Sequence, residues 1–324
     1  MIPETSRRSF IKQAVTVTTA SVLGAQMCGK PARAAEEPPK PSAPAETLPL
    51  GKIGTLQVSR LILGGNQLTG ACHCRDLAFA QRLQVHYNTA EKILETLALA
   101  EQLGINTLSV NKHGWAQKIL ADHRKRGGKM QWILHAMVAW DDSMKIYEEE
   151  VRELVGDGTN ALYVWGCHSD DMLNRGRLDL LAKAVEIGKK QGVPMGVGCH
   201  NLDVVVQCEK LKVPCDFYIK TFHHHKYPSG PKPGEARAAT TEVPGYWCND
   251  PERHIEVMKT VTKPWIAFKV LAAGAIRPAN AFRYAYENGA DHILAGMFDF
   301  DLAEDVKVAK AALNDLKRER AWCS

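Results

Sequence analysis

The sequence predicts an α/β protein, a TIM barrel of eight parallel strands with a helix after each. Three observations predict it. Short apolar runs rich in β-branched residues and leucine alternate with stretches of helical periodicity. Gly104, Gly192 and Gly289 stop helices just before a new apolar run begins. The strand–helix alternation repeats eight times, and parallel strands need such crossovers.

The elements follow in order. A hairpin is predicted over 50–57, then a strand over 58–64 that ends in Gly64-Gly65-Asn66. Helix 90–103 leads to strand 105–110, helix 115–124 to strand 130–138, and helix 144–155 to strand 161–166. A long helix over 171–191 precedes strand 193–198. Helix 202–211, strand 215–221, helix 250–261 and strand 265–270 come next. Helix 278–288, strand 292–297 and helix 302–317 complete the series, with no second domain.

The 324 residues are 45% hydrophobic and 24% charged, which excludes a disordered or collagen-like chain. The net charge is +5, but Arg7, Arg8, Lys12, Lys30 and Arg33 against Glu4 place +4 in residues 1–34. The body is therefore nearly neutral and offers no electrostatic case for nucleic acid. Residues 1–34 resemble a twin-arginine signal: Arg7-Arg8-Ser9-Phe10-Ile11-Lys12, a weakly apolar run, then Ala32-Arg33-Ala34. The run is too short and polar to span a membrane stably. Expected partners are the twin-arginine export machinery and a small-molecule substrate, in a periplasmic or otherwise exported protein. Residues 35–48 form a Pro-rich linker, and a single barrel domain is expected over 49–324.

In such barrels the active site lies at the C-terminal strand ends. Histidines gather there: His73, His113, His135, His168, His200 and the run His223-His224-His225. Of 12 histidines, only His86, His123, His254 and His292 fall elsewhere. Imidazole is both a metal ligand and a proton carrier near neutral pH. His135, His168, His200 and His223 are the expected ligands of a divalent, zinc-like ion. Catalytic roles are expected for His113, Lys269 and Asp299. Substrate contacts are expected from His73, Arg75, Asp76, Asn111, Trp165, Asp170, Tyr246 and Trp247. Each has a plainer alternative: Lys269 pairing with a buried carboxylate, Asp299 capping the last helix, the aromatics filling the core. The eight cysteines beyond residue 34 show no second C-x-x-C partner for Cys72-x-Cys74. The long segment 223–249 is expected to cover the mouth of the barrel.

Several stretches resemble the aldo-keto reductases. Leu50-Gly51-Lys52-Ile53-Gly54-Thr55-Leu56-Gln57-Val58-Ser59-Arg60 is similar to their opening hairpin. Gly104-Ile105-Asn106-Thr107-Leu108, Ala161-Leu162-Tyr163-Val164 and Gly196-Val197-Gly198-Cys199-His200-Asn201 resemble their second, fourth and fifth strands. The closer resemblance is to an exported subfamily, through His73-x-Arg75-Asp76 and Phe268-Lys269-Val270-Leu271-Ala272-Ala273-Gly274. The family's catalytic tetrad is broken here. Ser109 stands for its Asp, His113 for its Tyr and His135 for its Lys, while its His falls near Gly166 or shifts to His168. Gly296-Met297-Phe298-Asp299-Phe300-Asp301 is acidic where the family's cationic clamp holds the cofactor phosphate. The resemblance therefore implies the barrel, while these departures argue against NADP. The expected function is non-redox chemistry, of hydrolase, lyase or isomerase type, on a carbonyl-bearing or sugar-like molecule. The alternatives are an NADP-dependent reductase with His113 as acid, and a non-catalytic periplasmic metal- or ligand-binding protein.

Overall fold

Strand-end glycines and buried aliphatic runs close eight parallel strands into a barrel. The computed structural model describes residues 47–324 except 72, 76, 112, 113, 233, 234 and 236–247. The signal-like segment 1–34 and nearly all of the linker, with His113, Asp76, Tyr246 and Trp247, lie outside the described residues. The strands are β3 (Leu61–Gly64), β4 (Thr107–Ser109), β5 (Gln131–Leu134), β6 (Ala161–Val164), β7 (Met195–Cys199), β8 (Phe217–Thr221), β9 (Trp265–Phe268) and β10 (His292–Gly296). They pair in that order, and β10 closes on β3 through Ile293 opposite Leu61. The hairpin β1 (Leu50–Ile53) and β2 (Leu56–Ser59) precedes them. Its Ile53 and Val58 pack with Ile62, Ile133, Phe217, Ile219 and Ile266, so the hairpin plugs the end of the barrel where the strands start.

The helices are α1 (Ala78–Tyr87), α2 (Ala90–Gln102), α3 (Gly114–Lys125), α4 (Lys145–Gly156), α5 (Gly166–Asn174), α6 (Leu178–Lys189), α7 (Leu202–Lys210), α8 (Pro251–Thr260), α9 (Pro278–Glu287) and α10 (Asp299–Asn314). They bury their apolar stripes against the outer face of the strands. In α2, Ile93, Leu94, Leu97 and Ala100 recur at helical spacing and join the larger core cluster. Thr89 caps this helix, its side chain accepting from the Lys92 N–H. In α8, Asp250 caps and Pro251 opens the first turn. No helix of the described residues is long and apolar enough to cross a membrane.

Several elements differ from the sequence reading: the strand expected over 58–64 is divided between β2 and β3, and the strand expected over 130–138 stops at Leu134. The helix expected over 171–191 is two helices, α5 and α6, because Gly176 takes a left-handed φ of +66° between them. The helix α1 was not expected, since it buries no residue and so carries no periodic signal. The strand expected over 265–270 stops at Phe268, and Lys269 turns away with φ +55°.

Barrel closure constrains Gly64. A Cβ there would meet the Gly296 nitrogen at 2.8 Å and the Ala295 carbonyl carbon at 2.9 Å, both backbone atoms of the adjoining strand. Gly64→Ala is therefore expected to destabilise the fold by about 1–3 kcal/mol, since neither strand can yield by side-chain rotation. Urea unfolding measures this, and an unchanged midpoint would contradict it.

Candidate functional site

The strand ends surround a cavity of about 490 Å³. Its floor is unusually bare of side chains, because Gly64, Gly65, Gly166, Gly198 and Gly296 all line it. Its walls carry His73, Asn111, Tyr163, Trp165, Cys167, His200, Phe268 and Lys269. The cavity lies at the strand ends where the sequence reading expects the active site.

His200 follows β7 directly. Its Nδ1–H donates to Asp170 Oδ2 at 2.7 Å. Asp170 sits in α5 and also accepts from the backbone N–H of His200 and of Asn201. The carboxylate thus fixes the ring's tautomer and direction together. Burial pushes the His200 imidazole below its ordinary range, with Lys269 adding to this, against the opposing hydrogen bond to Asp170. At neutral pH the ring is uncharged and able to accept a proton.

Lys269 follows β9, and its Nζ contacts His73 Nε2 across the cavity wall. These residues are 196 positions apart, and both line the cavity. The charge on Lys269 also reaches Cys167 and His200. The Cys167 thiol is pushed up by burial and by Asp170, which keeps it protonated and unsuited to nucleophilic attack.

Behind these groups stands an aromatic layer. His135 is fully buried, donates from Nε2 to Asn111 Oδ1 at 2.8 Å, and stacks on Trp165 with centroids 5.6 Å apart. Its ring also meets Tyr163 edge-on at 4.8 Å. Tyr163 is hydrogen-bonded to Ser109, and burial raises its phenol strongly. His135 therefore supports Asn111 and Trp165, which face the cavity, while it does not line the cavity itself.

The four histidines expected to share a metal are spread apart. Only His200 lines the cavity. His168 lies on α5, where its ring packs against Trp140 and the edge of Trp165. His223 is 1% exposed, donates Nδ1–H to the His224 carbonyl, and leaves Nε2 buried without a partner. Among the described residues no three His, Cys, Asp or Glu side chains come together as a metal-holding group. The expected ligand set does not fit a bound ion.

Other expected residues take structural places. Asp299 accepts from Tyr87 Oη at 2.7 Å and Lys92 Nζ at 3.3 Å, at the first turn of α10 and outside the cavity lining. Burial alone would raise its carboxyl, but those two hydrogen bonds outweigh it and hold it below the usual range. Arg75 bonds Ser229 Oγ and the Ala272 carbonyl, and so ties two loops rather than lining the cavity. His254, on the outer helix α8, turns inward and is buried on Trp265. Sequence reasoning missed Tyr163, Cys167 and the Gln67 and Gln84 side chains that line the cavity. Tyr163 was within reach: it lies two residues after inward-facing Ala161 on a strand with period 2.

No family model matches the chain, and no curated protein matches it. Solved structures do resemble it. A phospho-2-dehydro-3-deoxyheptonate aldolase (DAHP synthase) from Thermotoga maritima superposes with TM-score 0.50 at 10% identity, covering 84% of this chain and 76% of that one. A point mutant of the protein Gox0644 in complex with NADPH gives TM-score 0.52 at 12% identity, covering 85% of this chain and 95% of that one. Its apo form gives 0.51 at 11%. At such identities these likenesses establish the barrel fold alone.

Proposed function

We propose that this chain is an exported enzyme on a barrel of aldo-keto-reductase type, which moves protons rather than hydride on a carbonyl-bearing or sugar-like small molecule. The observation that carries the reading is a single cavity holding two paired proton carriers, His200 on Asp170 and Lys269 against His73. Export rests on the Arg7-Arg8 segment. The loss of the reductase tetrad at Ser109, His113 and His135 favours non-redox chemistry.

In this reading neutral His200 removes the proton from the carbon next to a carbonyl. The C–H bond breaks, and its electron pair moves through the carbon framework onto the carbonyl oxygen. The Lys269 ammonium, close to His73, stabilises that oxyanion or delivers a proton to it. Where the deprotonated carbon bears a hydroxyl, that hydroxyl gives up its proton and becomes the new carbonyl. The former carbonyl carbon then takes the proton back from His200, which completes an isomerisation. Departure of a substituent one carbon further on completes an elimination. Trp165 and Phe268 supply apolar walls that exclude water from the intermediate.

The test needs no assigned substrate. The full-length protein is incubated in D2O with a panel of ketoses, aldoses and uronates, and proton NMR follows loss of the signal next to the carbonyl. At least one member should exchange without NADPH, and His200→Ala should slow that exchange by about 10²–10⁴-fold. No exchange across the panel, or activity that requires NADPH, would replace this reading with the binding-protein or the reductase reading respectively.

A further inference from the structure

We infer that α1 and the first turn of α10 form a self-complementary interface, covered by a second copy of this chain. The inference is independent of the proton-transfer reading.

Helix α1 is ten residues long, and none of its residues is buried. A helix that short is marginal in water unless one face is packed away. Of the eleven large apolar side chains exposed among the described residues, six belong to α1, its N-terminal flank or the first turn of α10. Phe79, Leu83 and Tyr87 recur at i, i+4 spacing and so form one ridge along α1. Tyr87 carries the ridge onto α10. Its ring meets Phe298 and Phe300 edge-on, with centroids 5.9 Å apart in each case. Phe79, Leu83, Tyr87 and Phe300 are 55%, 60%, 38% and 67% exposed.

The area suits a dimer. Those four side chains alone expose roughly 450 Å², and Arg82, His86 and Asp301 beside them bring the patch toward the ~800 Å² per partner of a specific interface. Contiguous apolar surface of this extent marks a place where another molecule binds.

Charge decides which molecule. Helix α1 carries Arg82 and no acidic residue, whereas α10 opens with Asp299, Asp301, Glu304 and Asp305 before its first basic residue, Lys307. Among the described residues neither Arg82 nor Asp301 enters an ion pair, and both are exposed. The ridge is therefore cationic at Arg82 and anionic at Asp301. A two-fold axis near Leu83 and Tyr87 lays Phe79 and Arg82 of one protomer against the partner's Phe300 and Asp301, and symmetry repeats the contact. Ridges of i, i+4 side chains pack into helix grooves in this way. An anionic lipid surface would be repelled by the acidic end, while a second copy answers both signs. The pairing also braces the mouth of the cavity. Gln84 of the same helix lines that cavity, and just past the helix the Asn88 side chain donates to the Gln67 carbonyl at 2.9 Å.

Sedimentation velocity of the full-length chain from about 1 to 100 μM tests this, and a monomer–dimer equilibrium should fall within that range. Leu83→Glu should raise the dissociation constant at least about 100-fold. The urea midpoint should stay unchanged, since Leu83 buries nothing within one chain. Arg82→Glu and Asp301→Lys should each weaken the dimer about tenfold, and the two together should restore it to within about threefold of the starting chain. Amide hydrogen exchange in α1 should slow as the protein concentration rises. A monomer at every concentration, a dimer indifferent to Leu83→Glu, or a double charge reversal that fails to restore pairing overturns the interface. So does a monomer that binds phosphatidylglycerol vesicles through Leu83, which would assign this face to lipid.

Discussion

Replacing Asp170 with Asn is expected to slow proton exchange by about three to four orders of magnitude while the barrel stays folded. The reason lies in one oxygen. Asp170 Oδ2 accepts Nδ1–H from His200 at 2.7 Å, which leaves Nε2 as the proton acceptor. An amide at this position still accepts from the Asn201 N–H through one oxygen, as Asp170 Oδ1 does at 2.9 Å. Its NH2 group then faces His200 Nδ1 and favours the other tautomer, with the proton on Nε2 and no base left. Asp170→Ala should behave differently. It strips the acceptor from His200 Nδ1 and from two backbone N–H groups at once, all buried or part-buried. Leaving such donors unpaired costs on the order of 3–5 kcal/mol, visible in urea unfolding. Unchanged exchange in the Asn variant would remove His200 from the chemistry and with it the central role of the pair.

The barrel was legible because its cause is local. Each strand–helix unit repeats a pattern of burial that the residues declare, as in Ile93, Leu94, Leu97 and Ala100 of α2. The unit that broke the pattern, α1, has no buried face to declare. The site was legible only in height. A strand-end rule places His135, His168, His200 and His223 at one end of the barrel but does not say which way each faces. Helix α5 starts at Gly166, so His168 rides on a helix and turns toward Trp140 rather than into the cavity. His223 lies beyond β8, which ends at Thr221, and folds back among its neighbours His224 and Tyr227. The pairs that matter join distant positions, 30 apart for His200 and Asp170 and 196 for Lys269 and His73. Spacing that long carries no local signal, and only the closed register brings the partners together.

The second large effect is expected from acid. Between pH 6.5 and 5 the protein should lose stability by about 3 kcal/mol through its buried histidines. His292 is fully buried between strands, with Nδ1–H donated to the Ser59 carbonyl, and burial pushes it down to about 4. Burial pushes His223 down to about 3. His254, packed on Trp265 and Phe222, is held well below its ordinary range by the same cause. The sign follows from the proton count. In the unfolded chain each takes up a proton near 6.5, whereas in the folded chain none does until the pH is far lower. The unfolded state therefore binds more protons in this window, and stability falls as pH falls, by about 1.4 kcal/mol per unit for each group. Asp305 works in the opposite direction. Burial raises its carboxyl to about 7, so the folded state takes up that proton first and gains stability on acidification. Three histidines against one such carboxylate leave a net loss. Urea unfolding at pH 7, 6 and 5 measures it. His292→Asn should lower stability at pH 7 yet reduce the slope by about one proton's share, 1.4 kcal/mol per pH unit. A stability that stays level or rises from pH 7 to pH 5 would show that these rings accept protons in place, and that the barrel opens to water where the packing of His292 and His254 says it is closed.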